Sequence, residues 1–218
     1  MSLIPVIDKW SIVITGLWNP YIFSPEWIVK NLLETEPEVE PQFEVSVGPG
    51  VASRVRIVFP GVMVVVPTRE RIQFQPISPS DSFLTMLEKV AAKTLEALPH
   101  TPTNGYGINF GYKSISNNSI DLFDAADYSR LDQQGLTPTR RQIVRQLRCN
   151  DHCVLNLTMT YYSEKKEKEI MCNFHHEAKA GHIEPSALDQ KALEYKRISE
   201  EVLANVYGLS LQEDDEDG

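Results

Sequence analysis

Apolar residues recur along this chain with two different spacings. In some segments every second residue is apolar, which is typical of a half-buried strand, and in others every third or fourth residue is apolar, which is typical of an amphipathic helix. Strand-like segments occur at 10–15, 43–47, 54–59, 62–66, 71–75 and 105–112. Turn residues at 48–50, 60–61 and 67 separate the four segments between 43 and 75, so we predict an antiparallel meander there.

Three helices are predicted from the second spacing and from residues that favour helix ends. The first begins at Pro25 after the N-cap Ser24 and ends near residue 33. The second opens at 78–81, carries an apolar stripe through Leu84, Leu87 and Leu95, and is stopped by Pro99. The third covers residues 186–208.

A second group of strands is predicted between the second and third helices. Cys153 to Tyr162 alternates, a polar run follows at 163–169, and Ile170 to His176 alternates again. This pattern predicts a hairpin. If its turn centres near Lys166, Cys172 faces Thr160 and His176 faces Asn156.

Residues 139–148 fit either a helix or a strand. In a helix, Arg141, Arg145 and Arg148 would share one face; in a strand, Ile143 and Leu147 would alternate with polar residues. Both interpretations stay open at this point.

The order of these elements predicts an α+β fold, with antiparallel sheets packed against three principal helices and possibly arranged as two related halves. We expect the first half at 1–113, a connector at 114–136, the second half at 137–211 and a disordered acidic tail at 212–218. The second half would consist of the hairpin and the C-terminal helix.

The composition indicates in which compartment the protein is located and how its charge is distributed. The chain has 218 residues, 42% of them apolar, and a formal charge of −9, of which five acidic residues at 213–217 supply a large part. No apolar run approaches the about 20 residues needed to cross a bilayer, and the first five residues lack the features of a signal peptide. We expect a cytoplasmic protein with no membrane partner.

The cysteines and most of the histidines are clustered. Cys149-x3-Cys153 and Cys172-x2-His175 approximate a zinc-ligand pattern. The predicted hairpin register, however, would put Cys153 and Cys172 on the order of 20 Å apart, too far to share an ion. We therefore interpret the cysteines as buried structural residues and expect no metal.

The sequence contains no motif that would identify a catalysed reaction. The chain lacks a P-loop, a G-x-S-x-G elbow and an H-E-x-x-H helix. We interpret His175 and His176 as a surface pair on the hairpin, and we assign no catalytic residue and no cofactor.

Two kinds of contact surface are predicted instead. Partner contacts are expected at Arg141, Arg145 and Arg148, the densest basic segment, and at Trp18 and Tyr21 in an aromatic group around the first helix start. In the strand 105–112, alternate glycines leave one face nearly bare, which indicates a close approach to the backbone. A packed helix or twisted sheet would explain this face, and the alternative is a ligand groove that uses Tyr106, Asn109 and Tyr112.

The segment from Arg71-Ile-Gln-Phe74, through the helix of Phe83, Leu87, Val90 and Leu95, to Gly107-Ile-Asn-Phe-Gly-Tyr112 resembles a sporadically distributed bacterial family of uncharacterised α+β proteins. The likeness rests on pattern and brings no catalytic motif with it. It implies the same fold class and a bacterial or phage source.

Together these observations favour a non-catalytic cytoplasmic interaction or regulatory protein that contacts another protein or associates with itself. The first alternative is an enzyme or small-ligand-binding protein with its site at the glycine-rich strand 105–112. The second is nucleic-acid contact through the arginines at 140–148, which the net acidic charge disfavours.

Overall fold

The computed structural model of the chain describes residues 2–35, 37–48, 51–115, 138–179 and 181–211, together with residues 133 and 135. Side chains are described for these residues except 46–48, 51–54 and 115. Most of the predicted connector at 114–136 and the predicted tail at 212–218 lie outside the described residues.

The α+β prediction is confirmed, because the described residues form eleven strands and three α-helices. The helices are α1 (Pro25–Leu32), α2 (Asp81–Ala97) and α3 (Lys191–Tyr207). The strands are β1 (Ser2–Pro5), β2 (Ser11–Gly16), β3 (Gln42–Gly48), β4 (Val51–Phe59), β5 (Met63–Pro67), β6 (Arg71–Pro76), β7 (Thr103–Ile115), β8 (Arg140–Asn150), β9 (Cys153–Tyr162), β10 (Glu167–Glu177) and β11 (Ser210–Leu211).

The strands form one sheet in the order β3-β4-β5-β6-β2-β7-β10-β9-β8. All neighbours in this order are antiparallel, and the meander predicted for residues 43–75 is confirmed as β3 to β6. β1 pairs with the C-terminal end of β7 and, in parallel, with β11. Among the described strands, the sheet therefore ends at β3 on one side and at β8 on the other.

Strands from both predicted halves belong to this single sheet, in which β2 and β7 form the central pair and β7 also pairs with β10 of the second half. β6, which precedes α2, pairs with β2 of its own half, whereas β10, which precedes α3, pairs with β7 of the first half. The relation between the two halves is not confirmed and stays a prediction.

The hairpin of β9 and β10 is present, but the predicted register is wrong. Cys172 faces Leu157 and His176 faces Cys153, a shift of three residues from the expected pairing. Glu167 already pairs with Tyr162, because the charged residues 167–169 belong to the strand and only residues 163–166 form the turn.

The ambiguous segment at 139–148 is a strand, which runs antiparallel to β9. Its alternation places Arg141 and Arg145 on one face of the sheet and Arg148 on the other. The helical alternative, in which all three arginines would share a face, is therefore wrong, and the strand alternative is confirmed.

The core lies between one face of the sheet and the helices. Side chains buried on this face come from both sides of the central pair, and they include Ile12, Ile14, Phe59, Ile72, Phe74, Ile108, Phe110, Leu155, Leu157 and Phe174. Helices α2 and α3 supply Leu87, Val90, Ala91, Tyr195 and Leu203 to the same cluster. The opposite face, which we call the open face, carries mainly polar residues and glycines along its central strands.

The residues at the helix ends explain where the helices begin and end. The Ser24 hydroxyl accepts a hydrogen bond from the Trp27 amide at 3.2 Å, and Pro25 occupies the first position of α1. α3 begins five residues later than predicted, after a short 3-10 helix at Pro185–Leu188, and its first turn is capped by the buried Glu88 of α2, which accepts from the Ala192 amide. Gly208 ends α3 with φ of 64°.

Candidate functional site

Two aromatic side chains that are exposed in the described part of the chain line a groove near the β3 end of the sheet. The groove has a volume of about 980 Å³ and lies between the start of α1 and the strands β3, β4 and β6. Tyr21 is 86% exposed and Phe43 is 60% exposed on its lining, beside Val55 and Arg69. We call this feature the Tyr21 groove.

The two aromatic residues predicted as partner contacts have different positions. Trp18 is buried; its indole packs edge-on against Phe23 and donates a hydrogen bond to the Ile14 carbonyl at 3.2 Å. Tyr21 extends into solvent. Of the pair, only Tyr21 presents its side chain to an incoming partner.

The predicted basic surface does not form as a single patch. The Arg145 guanidinium donates a hydrogen bond to the Tyr207 hydroxyl at 2.5 Å and lies over its ring at 5.3 Å from the centroid. Arg141 is half-buried on that same face, whereas Arg148 lies on the open face. Nucleic-acid contact through residues 140–148 stays a prediction, and the four arginines divide between the two faces, with Arg141 and Arg145 on one and Arg140 and Arg148 on the other.

The three residues predicted to bind a ligand on the glycine-rich strand are not brought together. Tyr106 and Tyr112 point toward the helices, where their hydroxyls contact the Ala187 carbonyl at 2.8 Å and the Ser199 hydroxyl at 3.0 Å. Asn109 lies on the open face, as the alternation of β7 requires.

The close approach predicted at the glycines of β7 is supplied by the chain itself. A Cβ at Gly111 would collide with the Cβ of Lys9, and one at Gly105 would collide with the His176 carbonyl oxygen. A Cβ at Gly107 would lie 3.2 Å from the Asn173 amide nitrogen. Close neighbours within the chain therefore account for these three glycines.

A row of side-chain hydrogen bonds crosses five strands on the open face. Directly paired residues make it: Gln146 donates to Asn156, Asn156 to Asn173, Asn173 to Asn109, and Asn109 to the Ser11 hydroxyl. We call it the amide row. Each amide satisfies its neighbour, so polar side chains can occupy the middle of a large sheet.

A cluster of titratable side chains lies on the helix side, at the start of β9. The His176 Nε2 atom is 2.6 Å from the Tyr195 hydroxyl, and the His176 ring stacks on Tyr106 with centroids 4.4 Å apart. Cys153 faces His176 on the neighbouring strand, and its thiol interacts with the Tyr195 hydroxyl. A pocket of about 550 Å³ opens above His176, with Lys191 and His152 also on its lining.

Burial is the main cause of the pKa shifts in this cluster. Desolvation lowers the pKa of His176 to about 4, with Lys191 and His175 adding repulsion, so the imidazole is neutral at pH 7. Desolvation also raises the pKa of Cys153 to about 11 and raises the pKa values of Tyr106 and Tyr195 well above their ordinary range. At neutral pH these four side chains therefore form an uncharged cluster, in which His176 is hydrogen-bonded to Tyr195 and stacked on Tyr106.

Sequence reasoning missed His176, which we expected at the surface. It is only 8% exposed. The signal was present, since His176 follows the alternation of Ile170, Cys172 and Phe174, all of which are buried.

The cysteine and histidine residues do not assemble around a common point. Cys153 lies four residues along β9 from Leu157, the residue that faces Cys172. The separation is about 13 Å, shorter than the prediction but still too long for a shared ion. Within the described part of the chain, no group of three or more histidine, cysteine, aspartate or glutamate residues could hold a metal ion.

Comparison of the chain with protein-family models, with curated proteins and with solved structures finds no match. The resemblance to the uncharacterised bacterial family stays an expectation from the sequence pattern. None of the helices within the described ranges is long and apolar enough to cross a membrane.

Proposed function

We propose that this chain is a non-catalytic cytoplasmic interaction protein, and that it binds a partner protein at the Tyr21 groove. The observation that supports the proposal is the exposure of two large aromatic side chains, Tyr21 and Phe43, on the lining of one groove. Exposed aromatic side chains beside a concave surface are typical of protein interfaces, where tyrosine is among the residues that carry most binding energy.

The neighbouring strand adds a second kind of contact. β3 ends the sheet, and within the described ranges its outer side pairs with no strand. An unpaired strand edge offers backbone donors and acceptors to an added strand. Val45, two residues after Phe43, is 57% exposed on the same side of β3, so an added strand would meet apolar side chains as well as backbone.

These features fit an extended segment of a partner protein that pairs with β3 and inserts apolar side chains into the Tyr21 groove. Arg69, exposed on the groove lining, would favour an acidic residue next to that segment. Backbone pairing would supply affinity, and the groove would supply selectivity.

Site-specific photocrosslinking in cells tests this arrangement. A photoreactive phenylalanine analogue is placed at position 21 and, as a matched control, at position 206, where Val206 is 64% exposed near the end of α3. We expect one specific protein to crosslink from position 21 and not from position 206, and Phe43→Ser to abolish that crosslink.

Two results of the same experiment would contradict the proposal. Equal capture from positions 21 and 206, or capture that Phe43→Ser leaves unchanged, would mean that the groove is not the contact surface. If the captured protein is a second copy of this chain, sedimentation velocity will show a dimer that Phe43→Ser dissociates, and the interaction is self-association.

A second candidate function is binding of a small ligand in the pocket above His176. The specific observation is a pocket floor made of Tyr106, His176 and Tyr195, which combines aromatic surface with hydrogen-bonding atoms. A thermal-shift screen of small molecules tests it, because a ligand at 100 times its dissociation constant stabilises the fold by about 2.7 kcal/mol. A genuine ligand loses this effect in His176→Gln and keeps it in Tyr21→Ala.

A further inference from the structure

Cys149 and Cys153 are brought together by an irregularity in the β8–β9 hairpin. Arg148 pairs with Val154 and Asn150 pairs with Cys153, so Cys149 is an extra residue in β8 with no pairing partner of its own. In such a bulge two residues of one strand oppose a single residue of the other. Cys149 and Asn150 therefore both oppose Cys153, and the two thiols are close enough to interact.

The two cysteines differ in access to solvent. Cys149 is exposed at the end of β8, whereas Cys153 is buried and only 1% accessible. The third cysteine, Cys172, is fully buried on β10 and faces Leu157. One exposed thiol thus lies against one protected thiol, and the remaining thiol is placed apart from both.

We propose that Cys149 and Cys153 form a peroxide-sensitive thiol pair, in which Cys149 is the residue that is oxidised first and Cys153 is the residue that resolves the oxidised form as a disulfide. This inference is independent of the Tyr21 groove, which lies near the opposite end of the sheet.

The chemistry requires a hydroperoxide as oxidant. The Cys149 thiolate attacks the peroxide, the O–O bond breaks, and the sulfur becomes a sulfenic acid while an alcohol, or water from hydrogen peroxide, leaves. The Cys153 sulfur then attacks the Cys149 sulfur. The S–S bond forms, the S–O bond breaks, and the hydroxyl leaves as water with the Cys153 proton. Two thiols are oxidised to one disulfide, and one hydroperoxide is reduced.

The order of events follows from exposure. A hydroperoxide reaches Cys149 directly, but the protein covers Cys153. Burial also raises the pKa of Cys153 to about 11, which keeps this thiol protonated and poorly reactive until a neighbouring sulfur has been oxidised. The low reactivity of a buried thiol also protects Cys172, whose pKa burial raises to about 12.

The pair is linked to the cluster above it. The Cys153 thiol interacts with the Tyr195 hydroxyl, which bonds to His176 on the pocket floor. Disulfide formation replaces the Cys153 thiol by a disulfide sulfur, so the Tyr195 hydroxyl then contacts a different sulfur group. Oxidation at the surface would in this way be transmitted to the His176 pocket through two side chains.

The test uses the full-length reduced protein and hydrogen peroxide, followed by unfolding, alkylation and mass spectrometry. We expect three alkylated cysteines before treatment and one afterwards, with the remaining label on Cys172 and a disulfide-linked peptide joining 149 and 153. Reduction should restore all three labels. Cys172→Ser is the matched control and should form the same disulfide.

Two variants separate the roles. Cys149→Ser should keep both remaining thiols under the same treatment, and Cys153→Ser should accumulate a Cys149 sulfenic acid that a dimedone probe traps. Because Cys149 is at the surface, Cys149→Ser should fold normally. It therefore still tests the proposal if Cys153→Ser fails to fold. Two results with the natural chain would overturn the proposal. One is overoxidation of Cys149 while the Cys153 thiol stays intact, and the other is a disulfide that joins two molecules through Cys149.

Discussion

His176 on β10 and Tyr195 on α3 are joined by a hydrogen bond of 2.6 Å between the imidazole Nε2 and the phenolic oxygen. Both residues are almost fully buried, at 8% and 1% exposed. The bond gives two buried polar groups a partner where α3 packs on the sheet, and Phe174 stacks on the same tyrosine ring at 4.4 Å.

Tyr195→Phe should lower the free energy of unfolding by about 1–3 kcal/mol, because the variant leaves a buried imidazole nitrogen without its partner while it keeps the aromatic packing. Urea denaturation followed by tryptophan fluorescence measures the change. Tyr21→Phe is the matched control, since its hydroxyl is at the surface, and should alter stability by less than about 0.5 kcal/mol. An equal effect of the two substitutions would show that the His176 bond contributes nothing.

The stability of the protein should fall in acid partly because of His176. Its folded pKa of about 4 is below the unfolded value of 6.5, so the unfolded state binds more protons between these two pH values. The contribution of neutral His176 is complete above pH 6.5 and is lost as the pH falls toward 4. The greatest slope for one such group is about 1.4 kcal/mol per pH unit.

Carboxylates also titrate in this range, so the measurement is a difference between two proteins. The unfolding free energies of the natural chain and of His176→Gln are compared at intervals from pH 7.5 to 4.5. We expect the natural chain to lose stability more steeply below pH 6.5 than the variant does. Parallel curves would show that His176 does not titrate abnormally.

The local parts of the fold could be predicted from the sequence. The strands from β3 to β6 and the bounds of α2 depend on turn residues, alternation and capping within a few positions of each other, as at Pro60–Gly61 and Pro99. The register of β9 and β10 could not, because the charged residues Glu167 and Glu169 look like turn residues although they belong to a strand. Charge alone does not mark where a hairpin turns.

The candidate sites depend on contacts between distant segments, which the sequence pattern does not contain. Residues 140–148 are a strand because β9 pairs with them, and that pairing separates Arg148 from Arg141 and Arg145. The glycine-rich strand is an exception, because its alternation in the sequence already places Tyr106 and Asn109 on opposite faces, as β7 has them. The contact between Cys149 and Cys153 needed the bulge at the end of β8.

The amide row should show energetic coupling between its members. Asn173 donates to Asn109 directly across two paired strands, so the substitutions Asn109→Ala and Asn173→Ala remove the same bond. A double-mutant cycle in urea should give a coupling energy of about 0.5–1.5 kcal/mol. The combination of Asn173→Ala with the distant Tyr21→Phe should be additive, and a coupling no larger than in that control would contradict the row's role.

Gly111→Ala should destabilise the fold by about 1–3 kcal/mol, because the new methyl group would meet the Lys9 side chain where the N-terminal segment crosses β7. Gly107→Ala is the matched comparison in the same strand. Its nearest neighbour is the movable amide of Asn173 at 3.2 Å, so the loss should be smaller.

The cause of the Gly111→Ala effect can be tested by removing the Lys9 side chain that the new methyl group would meet. Lys9→Gly deletes the Cβ that the new methyl group would meet, and it also removes the ion pair between Lys9 and Glu169 at 2.9 Å. The natural chain, both single variants and the double variant are therefore compared by urea denaturation. Gly111→Ala should cost clearly less in the Lys9→Gly background than in the natural one. If it costs the same in both, the requirement for glycine at 111 has a cause other than the crossing segment.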